Sequence, residues 1–278
     1  MTKYTKQFIG DVAYAIAIVF AISIALLVFC LCVPAQIAKP DADFVKSTFY
    51  PATTLLYAQD EEGTMKMRCT ATAIEKNKTG YVFVTAAHCG CEDSVEAHTV
   101  SPEKAFFFVT ADSEADKRFL IANPIACGYR HAGDDFFLLQ VDTQIAFPVV
   151  ELGDDPQIME AVVNVASPLG IGKQVFLGTV SSPSLNRPII EDEINWTHAF
   201  LLELFGTDGG SSGSAVVCLS QHKICGFVVG ASNKTSIIAM PVSRLKKMMA
   251  ELKVGTYHHY IADPDHVTED VIKPEKKD

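Results

Sequence analysis

Hydrophobic positions along this chain follow three patterns. From Val12 to Val33 they are continuous: 22 residues without a charge, in which Tyr14 and Ser23 are the polar interruptions. That length matches the roughly 20 apolar residues a helix needs to cross a bilayer core, so it predicts a transmembrane helix. From Ser47 the pattern changes to short β-type runs punctuated by Gly, Asn, Asp and Pro. They include Tyr81 to Val84, Ala105 to Val109, Phe136 to Val141, Ala161 to Val165, Ala215 to Cys218 and Gly226 to Val229. Many short strands at such spacing predict an all-β sandwich or barrel. The third pattern runs from Val242 to Lys253, where Leu245, Met248, Met249 and Leu252 recur at helical spacing with lysines between them. The chain therefore divides into a short N-terminal segment (1–11), the apolar helix (12–33), a stalk (34–46), a folded domain (47–252) and a polar tail (253–278).

Composition changes this picture little. The formal net charge is −10, with no Lys/Arg cluster, which gives no electrostatic footprint for nucleic acid. The apolar run can also be read as a cleaved secretory signal, with the domain secreted. Signal cores usually span about 7–15 residues, so the longer run points to an uncleaved signal anchor and to a membrane as a partner. Lys3 and Lys6 on one side balance Lys39 and Lys46 on the other, and the positive-inside rule barely decides orientation. Cysteine usage helps here. Cys30 and Cys32 lie in the apolar run, and six more follow: Cys69, Cys89, Cys91, Cys127, Cys218 and Cys225. An even number downstream of the run fits disulfides in an oxidising compartment, which puts residues 34–278 outside the cytoplasm.

Three short segments carry chemistry. They are Val84-Thr85-Ala86-Ala87-His88-Cys89, Asp135-Phe136-Phe137-Leu138-Leu139 and Gly210-Ser211-Ser212-Gly213-Ser214-Ala215. A serine hydroxyl is a poor nucleophile until a base takes its proton. Histidine can take that proton and return it to a leaving amine. A carboxylate holds the imidazole in the correct tautomer, and backbone N–H groups must face the developing oxyanion. Each segment alone has a plainer reading: a core histidine, a strand-end aspartate, a Gly/Ser linker.

Together the three segments resemble the motifs of chymotrypsin-like serine proteases, in the chain order His, Asp, Ser, separated by 47 and 77 residues. Ser167-Pro168-Leu169-Gly170, the run Gln174 to Ser181, and Ile238-Ala239-Met240-Pro241 before the helix resemble the HtrA/Deg protease domain. The resemblance covers about residues 47–252 and implies a double β-barrel with a C-terminal helix. It implies a serine endopeptidase acting on extracytoplasmic polypeptides, with His88, Asp135 and Ser212 as the catalytic triad and the N–H groups of Gly210 and Ser212 as the oxyanion hole. A silent or gated scaffold on the same fold is the alternative. The motif selects Asp135 because it directly precedes the apolar strand; Asp134 reads as a solvated neighbour.

By the same resemblance Gly206 lies at the base of the primary specificity pocket, and Val228, Val229 and Gly230 form its wall. No carboxylate at that base argues against cleavage after Lys or Arg, and the apolar lining favours a small or aliphatic residue. A Cys69–Cys89 bridge would match the family's histidine-loop disulfide. Cys218 and Cys225 flank a hairpin they can bridge, which leaves Cys91 and Cys127, although spacing does not fix connectivity. Cys218, His222 and Cys225 also form a loose zinc-like pattern, but the oxidising compartment favours disulfides, and no metal or other cofactor is expected. Ser211 occupies the position where activation by a new N-terminus would need an aspartate. No PDZ pattern follows the helix.

Overall fold

Alternation at period two builds most of the sheet. In the strand Phe200–Leu204, Phe200, Leu202 and Leu204 are buried while Leu201 and Glu203 are half-exposed, as expected where one face meets a core. The strand Gly80–Thr85 departs from this: all six residues are buried. Its outer face is covered by the inter-barrel connection, whose Phe147 ring packs edge-on against Tyr81 and Phe83 at 5.5 and 5.3 Å.

The computed structural model describes residue 20 and residues 38–257, except 95, 114–115, 186–189, 192–193 and 196–197. Apart from Phe20, the apolar run 12–33 lies outside the described residues, as does the tail from His258 onward. Among the described residues no helix is long and apolar enough to cross a membrane. The described residues from Pro40 onward form one unit.

Within it, two antiparallel six-stranded barrels close. The first comprises β1 (Thr53–Gln59), β2 (Met65–Lys76), β3 (Gly80–Thr85), β6 (Phe106–Ser113), β7 (Asp116–Cys127) and β8 (Phe137–Asp142), in the order β1-β2-β3-β8-β7-β6. A side hairpin of β4 (Cys91–Ser94) and β5 (Thr99–Pro102) interrupts it. The second comprises β9 (Ala161–Ala166), β10 (Gln174–Ser182), β13 (Phe200–Leu204), β14 (Ala215–Cys218), β15 (Lys223–Ala231) and β16 (Ser236–Pro241), in the order β10-β13-β16-β15-β14-β9. A short pair, β11 (Ile190–Glu191) and β12 (Ile194–Asn195), forms in the connection between β10 and β13. The double barrel expected from the sequence is the architecture found. One hydrophobic core is shared between the barrels: Phe136 meets Phe227 edge-on at 5.8 Å, and Val163, Val165 and Ala215 join the first barrel's residues. Closure leaves no long free edges in either sheet.

Helices flank the barrels. The C-terminal helix Val242–Lys253 has the bounds its periodicity predicts and buries Val242, Leu245 and Met248. The N-terminal side differs from the sequence reading. Residues 39–46, read as stalk, belong to a helical stretch of Lys39–Phe44, Val45–Phe49 and Tyr50–Ala52. Val45 and Phe49 are buried there, and fully burying a side chain such as Phe49 stabilises by about 1.5–3 kcal/mol. Asp41 and Phe44 hold this stretch to the second barrel: His222 Nε2 lies 2.7 Å from Asp41 Oδ1, and the imidazole stacks on the Phe44 ring at 4.7 Å.

Candidate active site

β3 ends on a single turn, Ala87–Cys89, which presents His88. Ala86 and Ala87 are fully buried beneath it, so the turn is seated on the core. Asp135 sits between the turn Arg130–Ala132 and the start of β8. Its side chain is 3% exposed against 28% for His88, so the carboxylate is enclosed while the imidazole faces the surface. Asp135 uses both oxygens on His88. Oδ2 lies 2.8 Å from Nδ1, and Oδ1 accepts the His88 backbone N–H at 3.0 Å. An ionised carboxylate only accepts, so Nδ1 carries the proton and Nε2 presents its lone pair outward. Burial alone would lower the His88 pKa, but the Asp135 charge and hydrogen bond outweigh it and hold His88 above its ordinary 6.5. Burial would raise Asp135, yet its bonds to His88 hold it below its ordinary value.

Ser212 lies on the turn between β13 and β14. Gly210 and Gly213 flank it in the left-handed region, at φ 94° and 76°. Gly213 is required for a second reason. A Cβ there would fall 2.1 Å from Thr85 Oγ1 and 2.5 Å from Ala86 N, in the strand that leads to His88. The turn is clamped across the barrel boundary by Thr70, the residue after Cys69. Thr70 N–H donates to Ser212 O at 3.0 Å, and Thr70 Oγ1 donates to Gly210 O at 2.9 Å. Thr70 had no signal of its own in the sequence. The N–H groups of Ser211, Gly213 and Ser214 are taken by Asp208 O, Val228 O and Ser211 O. Those of Gly210 and Ser212 have no acceptor among the described residues. Ser212 Oγ makes no hydrogen bond among the described residues either, so His88 and Asp135 are joined while the hydroxyl stands apart.

The trypsin-like peptidase domain model matches residues 69–227, which spans His88, Asp135 and Ser212. The chain belongs to the trypsin-like peptidase family. It is therefore a serine peptidase. Solved structures agree in fold. The M. tuberculosis protease Rv3671c, in its active form, is 16% identical with a TM-score of 0.57, over 74% of this chain and 82% of that one. The HtrA-type protease AlgW with a tripeptide is 18% identical at TM-score 0.58, covering 78% and 64%. A serine endoprotease from Yersinia pestis is 16% identical at TM-score 0.56, covering 78% and 67%. No curated protein matches the sequence.

Beside Ser212 the peptidase has a cleft of ≈ 520 Å³. Val228, Gly230, Ala231 and Ile237 supply its apolar wall, and Thr207, Asp208, Asn233 and Lys234 its polar groups. Two residues assigned to this pocket from sequence lie elsewhere. Val229, at the bulge between Val228 and Gly230, belongs to the shared core. Gly206 is not among the lining residues; its backbone packs on Phe176. Thr207 Oγ1, one residue on, is buried in the lining without a partner. Asp134 also departs from expectation. It is 6% exposed rather than solvated, and is held by Arg244 and Tyr257.

Three disulfides brace the peptidase: Cys69–Cys89, Cys91–Cys127 and Cys218–Cys225, with Cα–Cα distances of 6.1, 6.1 and 5.9 Å. The first fixes the His88 turn to β2. The second ties β4 to the end of β7, just before the loop that carries Asp135. The third closes the β14–β15 hairpin and takes up the two sulfurs of the zinc-like pattern, whose His222 pairs with Asp41 instead. Cys69, His88 and Cys89 bring donor atoms within 4.8 Å of one another. Their sulfurs are bridged and offer no thiolate, the species that ligates metal.

Proposed function

We propose that this peptidase cleaves polypeptides outside the cytoplasm through a His88–Asp135–Ser212 triad and an acyl-enzyme. The observation that carries the reading is the double use of the Asp135 carboxylate on His88, which leaves Nε2 as a base directed outward. In this mechanism Ser212 Oγ attacks the scissile carbonyl as Nε2 takes its proton. The tetrahedral oxyanion is met by the N–H groups of Gly210 and Ser212. His88 then protonates the leaving amine, and water, activated by the same imidazole, releases the acyl group. The apolar wall of Val228, Gly230, Ala231 and Ile237 supports a small or aliphatic residue before the scissile bond.

Two features support this location: the apolar run 12–33 read as a signal anchor, and the three disulfides, which persist in oxidising compartments. The full chain, expressed in membranes, is tested on a panel of chromogenic peptides. The expected outcome is hydrolysis after Ala or Val that Ser212→Ala abolishes, with the protein retained in the membrane pellet after an alkaline wash. Cleavage after Arg would sink the pocket reading, and release into the wash would sink the anchor. The isolated Ser212 hydroxyl favours a second reading, a gated site that closes on His88 only when substrate arrives, since catalytic hydrogen bonds are often loose without substrate.

A further inference from the structure

The loop that ends in Asp135 is held from outside the two barrels. Tyr129 to Asp134 form a turn in which Asp134 N–H donates to Tyr129 O, and Gly128 N–H reaches over to Phe136 O at 2.7 Å. The C-terminal helix lies against this turn. A Cβ at Gly128 would come within 2.1 Å of Asp134 O and 3.1 Å of Met248 Sδ, so the helix and the turn approach through that glycine. Arg244 Nε donates to Asp134 Oδ1 at 2.9 Å, and the Arg244 guanidinium also reaches Ala132 O at 2.9 Å. Past the helix, Tyr257 is 9% exposed. Its hydroxyl donates to Asp134 Oδ2 at 3.2 Å and accepts Tyr129 N–H at 3.0 Å. Both ends of the turn and its buried carboxylate thus have partners on one segment more than a hundred residues away in sequence.

Nothing in a double barrel requires this. A buried carboxylate is costly unless paired, and burial does raise the Asp134 pKa against the opposing pull of Arg244, its hydrogen bonds and Lys247. The adjoining residue is the one whose carboxylate orients His88. We propose that Arg244 and Tyr257 are positioning residues for the Asp135–His88 pair: acting through Asp134, they fix the backbone from which Asp135 projects, so that the C-terminal segment sets the competence of the site. The inference rests on the triad reading above.

The test is the rate at which the full-length protein reacts with a fluorophosphonate probe, resolved into kinact and KI and followed against pH, with melting temperature measured alongside. Tyr257→Phe removes one hydroxyl and keeps the ring. Wild-type labelling that Ser212→Ala abolishes upholds the triad; absence of labelling overturns the triad and this inference together. Given wild-type labelling, kinact of Tyr257→Phe should fall about tenfold to a hundredfold, the scale of a small misplacement of catalytic groups, with KI unchanged. Its acid limb should move to lower pH, because a loosened carboxylate supports the imidazolium less. Arg130 and Asp93, the other charged groups near the pair, are untouched by the variant. Equal kinact and an equal pH limb in a folded Tyr257→Phe protein would overturn the inference and leave the triad standing. Arg244→Gln and Arg244→Lys give the independent check. Lys should recover part of the kinact that Gln loses, and two equally impaired variants would show that only packing is at stake.

Discussion

At the scale of single residues, the site is a set of groups whose options have been removed. Asp135 spends both oxygens on His88, Thr70 holds the backbone on either side of the Ser212 N–H, and Gly213 makes room for the strand carrying His88. A pH dependence follows. In the proposed triad His88 can act as a base only when neutral, and Asp135 holds its pKa above the ordinary 6.5. Activity should therefore rise with pH through an acid limb whose midpoint lies above 6.5. Asp135, held below its ordinary value, stays ionised throughout that range. A labelling-rate profile with its midpoint below 6.5 would contradict this. The three candidate residues stand out in the sequence because acyl transfer needs those residue types in those settings. Thr70 and Asp134 do not, since their roles come from partners distant in sequence. No local pattern signals the burial of Asp134, because its partner Arg244 lies 110 residues away.

At the scale of elements, what could be read depended on what stabilises each one. The helix Val242–Lys253 announces itself because its buried residues recur at helical spacing. The stretch 39–52 does not, because it is short, interrupted, and held by burial of Val45 and Phe49 rather than by a repeating face. In the pocket wall, a bulge between Val228 and Gly230 interrupts the strand, and no sequence pattern marks it; Val229 there turns into the shared core while Val228 lines the cleft. The disulfides act at this scale too. Cys69–Cys89 closes a separation of 20 residues around the base. Replacing both cysteines by alanine should cost about 2–4 kcal/mol of stability, read from the denaturant midpoint, and should slow probe labelling by freeing the His88 turn. An unchanged midpoint would refute the bracing role.

At the scale of the whole molecule, two closed barrels meet along a shared core, with His88 and Asp135 on the first and Ser212 on a turn of the second that Thr70 ties back to the first. The spacing of the motifs carried this division, 47 residues within one barrel and 77 into the next. The register of each strand pair, and the return of the C-terminal helix to the first barrel, were not carried by any local pattern. They are set by long-range packing that a periodicity cannot express. The central claim, that Ser212 is the nucleophile of a working peptidase, has one most direct test. The protein is treated with a fluorophosphonate above the His88 acid limb, digested, and the modified residue located by mass spectrometry. A single adduct on Ser212, absent from Ser212→Ala, is the predicted result; no adduct, or one on another serine that survives the substitution, would contradict the account.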